Sequence, residues 1–155
     1  MRFGLIFSLI LIGCSSKHFE SNFNFNTECL GVEFDGSQTI RVWGSGRNRI
    51  DAIEQAKKKG VSEIIFQGIR EGVNGCEIKP LLSEANARDR YQMYFNDFFS
   101  DNGDYKKFVN LRDERIGKRF NRDRIRSKNQ VSYALILRIR RPQLKKQLIK
   151  DGIIK

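Results

Sequence analysis

The alternation of apolar and polar residues predicts two antiparallel strands within residues 29–46, CLGVEFDGSQTIRVWGSG. The dipeptide Asp35-Gly36 is typical of hairpin turns, and it lies between two stretches with a period of two residues. In the second stretch, one predicted face carries Thr39, Arg41 and Trp43 and the other carries Ile40 and Val42. We therefore expect a β-hairpin in this part of the chain.

A period of three to four residues follows and predicts an α-helix. Asn48 suits the N-cap, Asp51 stands three residues later, and Gly68 ends the pattern. The apolar face consists of Ile50, Ile53, Ala56, Gly60, Val61, Ile64 and Ile65, and the polar face of Lys57, Lys58, Lys59 and Glu63. A glycine-containing loop then carries Cys76 towards Pro80.

A second helix is predicted from about Leu82 or Ser83 to Ser100. Aromatic residues recur along it at helical spacing, namely Tyr91, Tyr94, Phe95, Phe98 and Phe99. With Arg88 and Arg90 nearby, they are compatible with a platform on which the bases of single-stranded nucleic acid stack. This spacing is far more often that of a buried helix face, so we interpret the aromatic residues as core.

The last third of the chain predicts two more strands and a closing helix. Tyr105 to Leu111 has the composition of a strand. The stretch QVSYALILRIRR alternates but is apolar on both faces in its middle, which is typical of a central strand. Pro142 suits the start of a helix that ends near Asp151, before Gly152. The pattern predicts an α+β fold, an antiparallel sheet with about three helices packed mainly on one face.

The first 13 residues have the composition of a bacterial export signal. Arg2 is followed by about ten apolar or small residues, fewer than the roughly 20 that cross a bilayer. The segment ends in LIGC, residues 11–14, which resembles the lipobox of bacterial lipoproteins. This resemblance implies cleavage after Gly13 and attachment of lipid to the Cys14 thiol, where two or more acyl chains give stable anchoring. The alternative is that Cys14 is a small buried residue of an N-terminal helix.

A lipidated Cys14 divides the rest of the chain into a tether, residues 14–27, and a single domain, residues 28–155. The tether spans about 20 Å as a flexible coil. Ser15, in place of an aspartate after the anchor, favours the outer membrane by analogy with other lipoproteins of this kind. No acidic run follows it, which favours the periplasmic face.

The net positive charge is confined to the end of the chain. Residues 1–111 contain 14 basic and 14 acidic side chains, whereas residues 112–155 contain 15 and 4. A basic arm, residues 112–128, includes Arg115, Lys118, Arg119, Arg122, Arg124, Arg126 and Lys128. We predict that this arm binds an acidic partner protein or another anionic surface. The alternative is a solvated hairpin that only keeps the protein soluble.

Two cysteines remain once Cys14 carries lipid. Cys29 and Cys76 form an even pair in a compartment that permits disulfides. A bond between them would close a loop of nearly fifty residues and stabilise the fold by roughly 3 to 4 kcal/mol, if it acts by restricting the unfolded chain. Two buried free thiols are the alternative.

The sequence predicts no catalytic residue, no metal ion and no cofactor. Its single histidine, His18, lies in the tether, which excludes Ser/His/Asp and Cys/His arrangements and the usual Cys/His metal sets. The GSG sequence at residues 44–46 precedes a helix, as phosphate-binding glycines do, but Arg49 occupies the third glycine position. A turn that requires positive φ explains both glycines, although Arg47 and Arg49 at the helix start could hold an anion.

The strand ending in GSG and the helix containing DAIEQAKKKGVSEII resemble the domain of the lipoprotein-20 group and of flagellar assembly protein T. There, a strand ending in glycines precedes a helix with alanines four residues apart, a pattern that Ala52 and Ala56 fill and Gly60 extends. The resemblance covers about residues 38–70. It implies a non-enzymatic envelope lipoprotein that packs against a larger machine, such as a flagellum or a secretion system of the type VI class.

These observations predict a membrane-anchored lipoprotein that serves as an interaction or structural subunit of an envelope assembly. Its expected partners are the membrane, through the lipid, and an acidic protein of that assembly, with no small-molecule substrate. The alternative function is a surface lipoprotein that binds lipopolysaccharide or another anionic polymer. A nucleic-acid-binding role is disfavoured, because it would require the LIGC sequence to be accidental.

Overall fold

The computed structural model describes residues 26–73, 75–112, 124–126 and 130–155. Within these ranges six strands form one sheet: β1 (Glu28–Val32), β2 (Gln38–Gly46), β3 (Glu71–Gly72), β4 (Val109–Leu111), β5 (Arg124–Arg126) and β6 (Val131–Ile139). The helices are α1 (Arg49–Phe66), α2 (Ala87–Arg90), α3 (Gln92–Phe98) and α4 (Arg141–Lys150), with a 3₁₀ helix at Asp104–Phe108. None of these helices is long and apolar enough to cross a membrane.

The sheet has the order β3-β1-β2-β6-β4, and β5 also pairs with β6. All pairings are antiparallel except the short parallel pairing of β1 with β3. The long central pair, β2 with β6, runs in register from Gln38 opposite Ile139 to Gly46 opposite Val131. The predicted α+β class and the predicted hairpin of β1 and β2 are therefore confirmed.

Strand β6 lies inside the sheet, as its apolar character on both faces predicts. It pairs with β2 along one edge and with β4 and β5 along the other. On the face covered by helices, Leu135, Leu137 and Ile139 are at most 1% exposed. Ala134, on the opposite face, is also buried at 6% exposure.

Strands β4 and β5 share the outer edge of the sheet. β4 pairs with the end of β6, and β5 pairs with the beginning of β6 on the same edge and in the same direction. Arg112, directly after β4, donates its backbone N–H to Ile136 O (3.1 Å). Arg112 and Arg124 are thus both held against β6.

Helix α1 forms where the sequence pattern predicts it. The Asn48 side chain caps it by accepting a hydrogen bond from Asp51 N (2.9 Å), and Gly68 follows its end with a φ of 73°. Its buried face consists of Ala52, Ala56, Gly60, Val61, Ile64 and Ile65. This face packs on Ile40 and Val42 of β2, both fully buried.

The reason inferred for the two glycines of the GSG sequence is wrong. Gly44 and Gly46 lie within β2, and neither has a positive φ. No side chain fits at either position, because α1 crosses β2 at this point. A Cβ on Gly44 would lie 2.0 Å from Ala52 O, and one on Gly46 would lie 2.5 Å from Asp51 Cβ. The alanines and glycines permit a close approach of helix and strand.

The prediction of the second helix is wrong in two respects. The helix begins at Ala87 and not at Leu82 or Ser83, and it is divided into two short helices. Leu82 N donates to Ile65 O (2.8 Å), which holds the chain extended alongside the end of α1. Asn86 then adopts a left-handed conformation with a φ of 63°, and the short helices α2 and α3 are separated at Tyr91. The aromatic residues still face the core, as predicted, since Phe95 and Phe98 are 3% and 4% exposed.

The strand predicted from Tyr105 to Leu111 is only partly correct. Its first half forms the 3₁₀ helix, and only Val109–Leu111 is a strand. Tyr105 is fully buried, and its hydroxyl donates to Glu54 Oε2 of α1 (2.9 Å), which a strand at this position would not provide. The closing helix is confirmed as α4, with Pro142 in its first turn and Gly152 after its end at a φ of 73°.

The loop between β3 and α2 is joined to the core through Cys76. Its sulfur is bonded to that of Cys29 on β1, with the two Cα atoms 6.3 Å apart. Arg141, whose side chain is 5% exposed, donates to Glu77 Oε2 (2.8 Å) and to Lys79 O (2.7 Å) of the same loop. The sequence is compatible with a disulfide or with two free thiols, and the structure contains the disulfide.

Candidate interaction surface on the basic edge

Only part of the predicted site lies among the described residues. Cys14, His18 and the signal, residues 1–13, lie outside them. So do five members of the basic arm, Arg115, Lys118, Arg119, Arg122 and Lys128. Arg124 and Arg126 are described, and both are exposed on β5. Arg124, Arg126 and their neighbours therefore form the part of the predicted surface that the structure describes.

Pairing with β6 fixes the direction of both arginines. Arg124 is opposite Tyr133 and Arg126 is opposite Val131, so both project on the same face as those residues. The Arg124 guanidinium carbon lies 5.8 Å from the centre of the Tyr133 ring, within the range of a cation–π contact. Tyr133 is itself 8% exposed, so it offers a fixed ring against which the Arg124 side chain packs.

Three of the other arginines at the end of the chain are paired with carboxylates of its first half. Arg112 is paired with Glu33, Arg138 Nη2 lies 2.8 Å from Asp35 Oδ2, and Arg141 Nε lies 2.8 Å from Glu77 Oε2. The carboxylate partners of these arginines are distant in sequence, so the sequence pattern gives no sign of the three ion pairs. Composition alone therefore overstates how much of this charge is available to a partner.

The same ion pairs change the acidity of their carboxyl groups. Hydrogen bonds from Thr39 and then Arg112 hold the pKa of Glu33 below its ordinary value. The hydrogen bond from Arg141 lowers the pKa of Glu77 in the same way. These carboxylates stay ionised, so they continue to compensate their arginines at neutral pH.

Arg124 and Arg126 differ from Arg112, Arg138 and Arg141 in the balance of their charge. Neither forms an ion pair with a carboxylate of the described residues. Their charges are exposed on the outer edge of the sheet. We call this part of the sheet, β5 with Arg124 and Arg126, the basic edge.

The basic edge lies near the end of the sheet at which the described chain begins. Arg126 and Gly46 flank Val131 from its two sides, so α1 starts close to β5. β1 is antiparallel to β2, and residue Asn26 therefore enters from the end of the sheet where β2 stops. The β1–β2 turn lies at the opposite end.

The start of α1 is less suited to an anion than the sequence suggests. Asp51 occupies its first turn, where its backbone N–H is already bonded to Asn48 Oδ1 (2.9 Å). Arg47 Nε lies 3.2 Å from Asp51 Oδ2, so that its charge is balanced locally. This helix start carries no separate site.

Glu54 and Tyr105 form a hydrogen bond between α1 and the 3₁₀ helix. Glu54 accepts from Tyr105 Oη (2.9 Å) and from Lys57 Nζ (2.7 Å). Burial opposes ionisation of Glu54, but these two hydrogen bonds outweigh it, and the pKa of the carboxyl group is lowered. Burial and the bond to Glu54 raise the pKa of Tyr105. The pair fixes the 3₁₀ helix to α1.

In the ranges that the structure describes, no group of three or more His, Cys, Asp and Glu side chains is placed to hold a metal ion. No protein-family model, no curated protein and no solved structure matches the chain.

Proposed function

We propose that the chain is a membrane-anchored envelope lipoprotein whose α+β domain acts as a non-enzymatic interaction subunit of an envelope assembly. Cys14 carries the lipid, the tether gives reach, and the basic edge with its arm binds an acidic surface of a partner protein. The outer membrane is the proposed site of anchoring, with the domain on the periplasmic face.

The observation that carries the proposed binding role is the exposed pair Arg124 and Arg126. No described carboxylate compensates them, whereas Arg112, Arg138 and Arg141 are compensated. Placement on a strand that is hydrogen-bonded to β6 holds their backbone in a fixed position. Side chains presented from a rigid strand lose less conformational entropy on binding than those of a free loop.

The position of the basic edge also fits a tethered domain. The tether would end at Asn26 and Thr27, at the same end of the sheet as β5, and Asn26 Nδ2 donates to Glu71 Oε1 (2.5 Å) there. The basic edge would then face the region near the anchoring membrane. Each Lys or Arg near an anionic surface contributes about 1 kcal/mol, so lipid head groups can add to the binding of an acidic partner.

The test is a charge reversal on the basic edge of the full-length protein. We expect Arg124→Glu/Arg126→Glu to reduce recovery of crosslinked partners from membranes by at least tenfold, because two attractive contacts become repulsive. The matched control is Lys146→Glu/Lys150→Glu, which changes the net charge equally on exposed positions of α4. Equal recovery of the same partners with both variants would contradict the proposed role of the basic edge.

Salt dependence separates the protein partner from an anionic polymer. Binding to a phosphate-rich polymer weakens steeply and log-linearly with salt, because counterions are released from the polymer. An interface with an apolar core loses less affinity over the same range. We expect the weaker dependence for the captured partner, measured by repeating the crosslinking from 50 to about 500 mM salt.

A further inference from the structure

Strand β2 extends beyond the strand that pairs with it on one side. β1 pairs with residues 38–41 of β2, whereas β6 pairs with residues 38–46. Among the described residues, Gly44, Ser45 and Gly46 therefore have a neighbouring strand on one side only, which is β6. Backbone N–H and C=O groups at such an edge are a template for a further strand.

The chain that precedes β1 already runs along this side of β2. β1 is antiparallel to β2, so the residues before Glu28 are directed towards Gly46. The alternation of burial continues upstream of β1, since Thr27 and Cys29 are buried while Asn26 and Glu28 are more exposed. This alternation is that of an extended backbone with side chains on two faces of a sheet. Residues before Asn26, which lie outside the described ones, need only continue in the same direction to reach Gly44.

The sequence before β1 has the period of a strand. Residues 22–26 read NFNFN, so that phenylalanine alternates with asparagine. When the register of β1 with β2 is continued, Phe25 comes opposite Gly44 and Phe23 comes opposite Gly46. Both phenylalanines then lie on the face of the sheet that α1 covers, and the asparagines lie on the other face.

The edge of β2 offers room for a phenylalanine at this position. A cleft of about 280 Å³ lies there. Its lining consists of Trp43, Gly44, Ser45, Gln55 and Lys59. A phenyl ring fits a cavity of roughly 150 Å³, and the methylene groups of Gln55 and Lys59 provide apolar contacts. An aromatic side chain on a neighbouring strand also covers a glycine across the pair, which compensates for the side chain that the glycine lacks.

We propose that residues 23–25 of the same chain add to the sheet as an extension of β1, with Phe25 in this cleft. A strand of another molecule would lose translational and rotational freedom on binding. Residues 23–25 are joined directly to Asn26, so their effective concentration at the edge of β2 is high without any such loss. The free edge of β2 is thus a docking site for the end of the tether.

Docking also orients the anchored protein, a consequence that rests on the proposed function. With residues 23–25 bound, the free tether is reduced to residues 14–22, which span about 16 Å as a coil. The chain then leaves the sheet beside Gly46, which is opposite Val131, and Val131 is opposite Arg126 of the basic edge. The docked segment therefore holds the basic edge at the end of the domain nearest the lipid.

A pair of engineered cysteines tests the register. Asn24→Cys/Ser45→Cys places two thiols directly opposite each other on the face of the sheet away from α1. The background is the full-length Cys14→Ser protein purified in detergent, so that the result does not depend on the lipid anchor. We expect mild oxidation to link positions 24 and 45 within one chain in most of the protein, as measured by mass spectrometry of the linked peptides.

The matched control for this pair is Asn24→Cys/Ser132→Cys. Ser132 is opposite Ser45 on β6, so it would lie about 10 Å from position 24, beyond the reach of a disulfide. A link between positions 24 and 45 of two different chains would assign the edge to a second copy and overturn the proposal. Equal yields for the two pairs, or no link in either, would overturn it as well.

Amide hydrogen exchange of the full-length protein gives a second and independent readout. We expect Phe23→Ser/Phe25→Ser to accelerate exchange within residues 44–46 at least tenfold, because the edge of β2 is then open to water for a larger fraction of the time. Phe19→Ser is the matched control and should leave this exchange unchanged, since the continued register places position 19 beyond the end of β2. Unchanged exchange in the double variant, or equal acceleration by Phe19→Ser, would contradict docking of residues 23–25.

Discussion

Adding one methyl group at Gly44 is expected to destabilise the domain by about 3 kcal/mol or more. In Gly44→Ala the new Cβ would lie 2.0 Å from Ala52 O and 2.6 Å from both Ala56 N and Ala56 Cβ. Two of these atoms belong to the backbone of α1, so no rotation of a side chain relieves the overlap. The helix must move away from β2, and the apolar contacts of its buried face are lost with it.

Gly60→Ala is the matched control, since it adds the same methyl group to another buried glycine of this interface. There the new Cβ would meet Ile40 Cδ1 at 3.0 Å, Ile139 Cδ1 at 3.3 Å and Leu137 Cδ1 at 3.4 Å. These are ends of flexible side chains, and alanine favours the helix by about 1 kcal/mol over glycine. We expect a change within about 1 kcal/mol, measured by urea unfolding. Similar losses for both variants would mean that the close approach of α1 to β2 is not the cause.

Loss of the bond between Cys29 and Cys76 is expected to lower the free energy of unfolding by about 3 to 4 kcal/mol. The bond closes a segment of 47 residues that includes β2 and α1, and restricting so long a segment removes much entropy from the unfolded chain. A loss of this size lowers the midpoint of thermal unfolding by roughly 10 to 15 °C. The measurement compares the protein with and without reductant, and with Cys76→Ala.

Reductant also provides the control for that substitution. Cys29 is fully buried, so Cys76→Ala leaves its thiol in an apolar site and changes little besides the bond. The reduced protein and the reduced Cys76→Ala variant should therefore unfold at about the same denaturant concentration. If reductant leaves the unfolding of the unaltered protein unchanged, the bond does not contribute to its stability.

The elements that the sequence predicts best are those whose local and long-range signals agree. Helix α1 has its cap at Asn48, its terminating Gly68 and an apolar face that meets β2, all in the same register. Strand β6 lies between β2 on one edge and β4 and β5 on the other, and its long apolar run fits this interior position. In such segments the local preference and the tertiary environment favour the same structure.

Where the predictions fail, the backbone change is accompanied by a feature that lies outside the periodic pattern. Asn86, left-handed with a φ of 63°, lies inside the helix predicted from Leu82 and interrupts it. The segment at Tyr105, predicted as a strand, forms a 3₁₀ helix whose Tyr105 hydroxyl donates to Glu54 on α1, 51 residues away in the sequence. Periodicity within a short window carries no information on either feature.

The candidate surface shows the same limit for charge. The count of basic residues locates the positive end of the chain, but it does not show that Arg112, Arg138 and Arg141 are compensated by Glu33, Asp35 and Glu77. These three ion pairs can be recognised only in the folded structure.

The intact mass of the full-length protein, purified from membranes, tests the proposed lipoprotein most directly. We expect a chain that begins at Cys14 and carries the added mass of two or three acyl chains, and we expect the Cys14→Ser chain to carry no acyl mass. A chain of all 155 residues without added mass would contradict the anchor. The basic edge would then have to be assigned to a different compartment and to a different class of partner.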